Sequence, residues 1–214
     1  MRNSLFAIIP VVLALIFGAI QVQGDDEVVF GSEINVSSDT TNSRLTSADS
    51  RQILVSGDTI YVVWQGGGDI WFRLSRNEGA TWDPPLTDPG YNLSADISTS
   101  GDNPSQFPQI AFSGEGYVHV VWREYQGAGN EIFYKRIYDS GTSLAFDPLV
   151  DDGGINLSNR PLGSNAARIA TSGDNVYVAW QDEFDAKNAS TGPLPDSCLM
   201  RFCSRPIKTM VRVS

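Results

Sequence analysis

The chain has 214 residues, 41% hydrophobic and 10% aromatic, enough for one domain or two small ones with a sizeable core and too aromatic for a disordered chain. Its net charge is −10 and its Lys and Arg form no cluster, which excludes nucleic acid as a partner; the acidic surface suits solubility. One His excludes a His-rich metal site, the lone Cys198-x4-Cys203 pair is weak evidence for a four-ligand zinc site, and no cofactor or metal is expected.

Residues 1–24 read as a secretory signal peptide. Arg2 supplies the positive start, and Leu5 to Ile20 is an apolar run broken only by Pro10 and Gly18. Val22 and Gly24 suit a cleavage site, and Asp25-Asp26 follows. The run is shorter than the roughly 20 residues a membrane span needs, which favours cleavage over an uncleaved anchor. The expected location is secreted or at the cell surface. Next, "EVVFGSEINVS" (27–37) reads as a lone outer strand, with Phe30 closing an earlier unit.

Beyond it the chain repeats. "QILVSGDTIYVVWQ" from Gln52, "QIAFSGEGYVHVVWRE" from Gln109 and "RIATSGDNVYVAWQD" from Arg168 superpose. Trp64, Trp122 and Trp180 are spaced by 58 residues both times, and Asn-Leu/Val-Ser recurs at Asn35, Asn92 and Asn156. A fixed period of this size marks a repeat architecture. Each unit is β in character. "TIYVVWQ" is apolar on both faces, which predicts a strand buried on both sides. "DIWFRLS" (69–75) and "EIFYKRI" (131–137) are aromatic and β-branched third strands. The second unit divides into "PQIAFSG", "YVHVVWRE", "NEIFYKRIY" and "LVDDGGINLS", four strands as in a propeller blade, whose sheet faces a neighbour on each side. An immunoglobulin-like sandwich would show cleaner in/out alternation and no such self-similarity.

Ser75-x-Asn77-x-Gly79-x-Thr81-Trp82 resembles the Asp-box, S-x-D-x-G-x-T-W, of the sialidase-like (BNR repeat) propellers. The Ser-Gly-Asp turn, the "YVVW" strand and the "INLS" segment are similar to those of exported prokaryotic repeat proteins of that kind. The resemblance covers residues 27 to about 182. It implies an all-β fold, a partial propeller of four-stranded antiparallel blades. The expected domains are the signal peptide (1–24), about two and a half blades with an N-terminal outer strand (25–182), and a degenerate or poorly ordered tail (183–214). That tail departs from the repeat so sharply that a truncation or frame artefact is expected. The box has a local physical reason. A short Asn or Asp side chain bonds backbone N–H groups two residues on, Gly79 permits positive φ, and Thr81-Trp82 should begin the outer strand. The copy from Asp139 to Phe146 is worn.

In sialidases three arginines grip the substrate carboxylate and a Tyr, activated by a Glu, is the nucleophile. The Arg-Ile-Pro-like motif of that site is missing here. Arg73, Arg123 and Arg136 fall on repeat strands, where a solvated or ion-paired role is expected, so no catalytic residue is carried over. His119 aligns with Tyr61 and Tyr177 and reads as a packing residue. Asn35, Asn92, Asn156 and Asn188 head N-x-Ser sequons, candidates for glycosylation in an exported protein. Cys198 and Cys203 are candidates for a disulfide outside the cell. The expected function is an exported, non-catalytic sialidase-like module that binds or builds the cell envelope; the alternative is a fragment of an exo-α-sialidase. Expected partners are glycans, another envelope protein, and further copies meeting at open blade faces.

Overall fold

A computed structural model gives the fold for residues 31–37, 43, 51–95, 105–127, 129–147, 153–159 and 163–182, and the backbone alone of four short strands outside them. Two of those, β1 (Gln21–Gln23) and β2 (Glu27–Val29), pair antiparallel. The segment 27–37 was expected as a lone outer strand; where it is described, β2 pairs with β1 instead. The rest of residues 1–24 lies outside the described residues.

The protein is all-β, and the repeat units form separate sheets. Sheet 1 is a meander of β3 (Ile53–Ser56), β4 (Thr59–Gly66), β5 (Asp69–Ser75) and β6 (Tyr91–Asn92). Its first two hairpins turn on glycines with positive φ, Gly57 at 57° and the pair Gly67-Gly68 at 62° and 96°. Sheet 2 runs β7 (Gln106–Phe112), β8 (Tyr117–Tyr125), β9 (Asn130–Asp139) and β10 (Leu144–Asp147), with β11 (Ile155–Asn156) also on β9. Sheet 3 pairs β12 (Ser164–Ser172) with β13 (Asn175–Asp182). Two pieces of the tail join β13: β14 (Cys203–Ser204) antiparallel and β15 (Met210–Val213) parallel.

The fourth strand differs from expectation. Of "LVDDGGINLS", residues 149–152 lie outside the described residues and the strand within the rest is Ile155–Asn156; Trp82 does not open a strand. In sheet 1 the outer position is filled by a single bridge, Leu74 to Asp83, and then by β6 opposite Trp71 and Phe72. In sheet 2 it is filled by β10 opposite Arg136–Asp139 and by β11 opposite Phe133 and Tyr134. Pro84, Pro85 and Pro89 in the gap of sheet 1 lack the N–H that a continuous ladder needs.

The sheets stack face to face. Tyr61, Val63, Ile70, Phe72 and Leu74 of sheet 1 pack on Ile110, Val118, Val120, Trp122, Phe133 and Ile137 of sheet 2. The other face of sheet 2, with Ala111, Val121, Ile132 and Tyr134, packs on Ile169, Val176, Val178 and Trp180 of sheet 3. The middle sheet is therefore covered on both sides, which is why β8 alternates Val118, Val120 and Trp122 toward one neighbour and Val121 toward the other. Trp64, Trp122 and Trp180 are all buried. A glycine makes room for two of them. A Cβ on Gly90 would lie 2.6 Å from the Trp64 ring, and one on Gly154 would lie 2.6 Å from the Trp122 ring.

Candidate functional site

The turn from Ser75 to Thr81 is closed by its own side chains. The Ser75 Oγ accepts the N–H of Gly79 at 2.8 Å, and the Asn77 Oδ1 accepts the N–H of Thr81 at 2.8 Å and the Ser75 hydroxyl at 3.0 Å. Glu78 and Gly79 take positive φ of 55° and 90°, and the Glu78 N–H donates to the Asp58 carbonyl in the neighbouring hairpin. Asn77 thus does the work expected of an Asp. Thr81 is exposed and Trp82 half-buried, so this end of the motif faces outward.

The variable residue inside the box, Arg76, reaches across to sheet 2. Its guanidinium bonds Asp139 from Nη2 at 3.0 Å and from Nε at 3.1 Å, and Asp83 from Nη1 at 3.2 Å. Asp139 also accepts the Tyr61 hydroxyl at 3.1 Å and the Gly141 N–H at 2.9 Å. Tyr91 donates to Asp83 at 2.9 Å. Burial, then the Asp139 charge, pushes Tyr61 up to about 12; burial, then its bond to Asp83, does the same to Tyr91. Both phenols stay protonated as donors at neutral pH. With every member engaged, the cluster is an inter-sheet latch. The worn second copy is held differently, by Ser140 Oγ accepting the Ser143 N–H at 3.0 Å.

A second repeated feature sits at the opposite end of the strands. In sheet 2 the Trp122 indole N–H donates to Glu124 Oε2 at 3.1 Å, and the Ser105 hydroxyl donates to the same oxygen. In sheet 3 Trp180 and Ser164 bond Asp182 Oδ1, both at 2.8 Å. The pattern is Trp-x-acid with a Ser at or just before the start of the first strand. Sheet 1 has Gly66 at the acid's place, and there the Trp64 indole N–H has no hydrogen-bond partner among the described residues. Glu124 is fully buried, and its Oε1 has no such partner either. Burial raises its pKa from 4.5 to about 7, against the lowering effect of Ser105 and Trp122.

His119 lies in the core of sheet 2, stacked on Tyr134, with Nδ1 2.8 Å from the Tyr134 hydroxyl and Nε2 2.7 Å from Ser113 Oγ. Burial, then the Arg136 charge, lowers its pKa from 6.5 to about 4, so the ring is neutral at pH 7. It packs, as its alignment with the two tyrosines predicts.

The strand arginines divide. Arg136 pairs with Asp147 and lies over Tyr117. Arg73 is not solvated, and the charge that acts on it is Asp88. It is fully buried, lies over the Trp64 ring at 5.9 Å and donates to the Asp88 carbonyl, because the loop that replaces a continuous outer strand folds back over it. Arg123 lies over the Phe107 ring at 4.6 Å and donates to Asn165 Oδ1 of sheet 3 at 3.0 Å; Asn130 Nδ2 donates to the same oxygen at 3.2 Å. Phe107 sits in a β-bulge of β7, between Gln106 and Gln109, and Ala166 sits in the matching bulge of β12. Their φ angles are 57° and 54°.

The sequon asparagines act on their own backbone. Asn35 and Asn92 accept the N–H of the serine two residues on, at 3.1 and 3.0 Å, and Asn156 accepts the Asn159 N–H at 2.8 Å. Ser94 and Ser158 hold β5 and β9 by accepting the Ile70 and Ile132 N–H groups at 3.0 and 2.9 Å. The Asn-Leu-Ser repeat is thus a strand-end turn. Asn188 and Cys198 lie outside the described residues, and of Cys203 only the backbone is described. Residue-level reading missed Arg76, Asp139, Glu124 and Phe107. The Trp-Arg-Glu and Trp-Gln-Asp triplets were a visible signal for one of them.

No protein-family model, curated protein or solved structure matches the chain.

Proposed function

We propose that the chain is an exported, non-catalytic module built of sialidase-like propeller blades, serving outside the cell as a binding or structural element. One observation carries the reading. Sheet 2 is packed on both faces by sheets of the same repeat, and the box turn supplies the latch between two of them. This use of the box, as a corner and a tie, supports a scaffold. Three of the arginines that a carboxylate-gripping site would need are engaged: Arg73 under a loop, Arg76 in the latch, Arg136 on Asp147. Partners of this reading are glycans, an envelope protein, or further copies meeting at an outer sheet face.

The test has two arms. The purified chain is incubated with a fluorogenic sialoside, and no turnover above buffer is expected; measurable hydrolysis abolished by R123A would sink the non-catalytic reading. Expressed with its own N-terminus, the chain should be exported and begin near Asp25; a cytoplasmic protein retaining Met1 would sink the export reading.

A further inference from the structure

We infer that the seam between sheets 2 and 3, where β7 and β12 begin, is a binding site for a neutral glycan, with Phe107 as its stacking platform. This rests on the binding-module reading and goes further by naming the site and the ligand's chemistry.

Phe107 sits in a bulge outside both core clusters, with the Arg123 guanidinium over its ring at 4.6 Å. Its backbone takes φ 57°, a region that bulky side chains rarely enter, and it precedes Pro108, which narrows its choices further. Pro108 is compatible with the bulge, since it has no N–H to give the ladder. The matching bulge of sheet 3 takes the same backbone shape with Ala166. The backbone shape of the bulge therefore does not itself require an aromatic side chain. Phe107 is outside both core clusters and keeps 37% of its surface exposed. Bulges commonly re-aim one side chain beside a binding site, and an observed backbone outlier is a sound starting point for such an assignment.

The groups around the ring suit a sugar. The Arg123 guanidinium lies over the ring and is fixed by Asn165, and Asn130 joins the same oxygen. The part of the ring that Arg123 leaves exposed offers an apolar surface to the C–H face of a pyranose, and the Asn130 amide nearby offers a partner for a sugar hydroxyl. A few placed polar groups around an aromatic surface are the usual make-up of a small-molecule site. Charge selects the class. The chain carries −10, so a sialylated or uronic polymer is repelled at long range and a neutral glycan is not.

Native affinity electrophoresis of the full chain tests this, in gels containing laminarin, galactomannan, glycol chitin or polysialic acid. Retardation by at least one of the three neutral polymers is expected. F107W should keep it, F107A should weaken apparent affinity about tenfold or more, and N130A should weaken it less. The thermal midpoints of F107W and N130A should stay within a few degrees of the parent, so a misfolded F107A leaves the other two to report on the site. No retardation by any neutral polymer, or equal retardation of parent and folded F107A, overturns the site. Retardation by polysialic acid alone overturns the ligand class but leaves a binding module; hydrolysis of a sialoside overturns the module reading by itself.

Discussion

Glu124→Gln should make the protein more stable at pH 8 and leave it nearly unchanged at pH 5. The Glu124 carboxyl is fully buried and has the Ser105 hydroxyl and the Trp122 indole on one oxygen only. Its folded pKa is about 7 against 4.5 for the free side chain. Between those values the native state holds a proton that the unfolded chain has released, so stability falls as pH rises through this window and levels off above pH 7. At 1.36 kcal/mol per unit, the shift corresponds to a loss of about 3 kcal/mol by pH 8. A glutamine side chain is neutral at every pH, and its carbonyl can still accept both donors. Urea unfolding of parent and variant at pH 5, 6, 7 and 8 gives the difference directly, since all other titrations cancel. A variant less stable than the parent at pH 8, or a difference that does not change with pH, would refute the reasoning.

The remaining predictions concern packing and protonation. His119 should titrate near pH 4 by NMR, so its contribution to stability is present above pH 6.5 and lost as pH falls toward 4; a titration at 6 or above would mean a wetted ring. Gly90→Ala should cost about 1–3 kcal/mol in chemical unfolding, because the new methyl meets the Trp64 ring at 2.6 Å and the Phe72 carbonyl at 2.9 Å; a neutral result would place the loop elsewhere. Asp139→Ala should cost about 2–4 kcal/mol, since it strips partners from Tyr61, Arg76 and Gly141 together; a double-mutant cycle with Arg76→Ala measures the shared part, and zero coupling would deny the latch. Trp122→Ala should cost roughly 3–5 kcal/mol by thermal or urea melts, and a loss under about 1 kcal/mol would contradict its burial between sheets.

Much of the strand plan was legible because it follows short-range rules. Ser-Gly before an alternating run sets the hairpins, and apolar residues on both faces of β8 announced a sheet with two neighbours; β4 carries the same pattern, but among the described residues sheet 1 packs on sheet 2 alone. The box was legible for the same reason, since Ser75, Asn77, Gly79 and Thr81 bond one another within the turn. The outer strands were not. Their interruption depends on where prolines fall relative to a partner's ladder, and that register is a tertiary quantity. The latch was also hidden, because Arg76 occupies a variable position of the motif and its partner Asp139 stands 63 residues on. The bulge at Phe107 left one trace, the following proline, and the ring's exposure depends on what the neighbouring sheet leaves uncovered. Glu124 was half legible: the Trp-x-acid triplet repeats at Trp180, but the full burial of the acid depends on packing that strand order alone does not reveal.

The Arg76 tie has a consequence for how such an array can evolve. Each repeat could be copied or moved as a block if its contacts with neighbours were all generic hydrophobic ones. Here one unit carries the key and the next carries the lock: Arg76 and Tyr61 on one side, Asp139 on the other. Exchanging the two units would leave Asp139 facing a stranger, and duplicating the first would leave its arginine without a socket. The linear order of the units is therefore part of the inherited information, and recombination between them carries a penalty that their likeness to one another conceals.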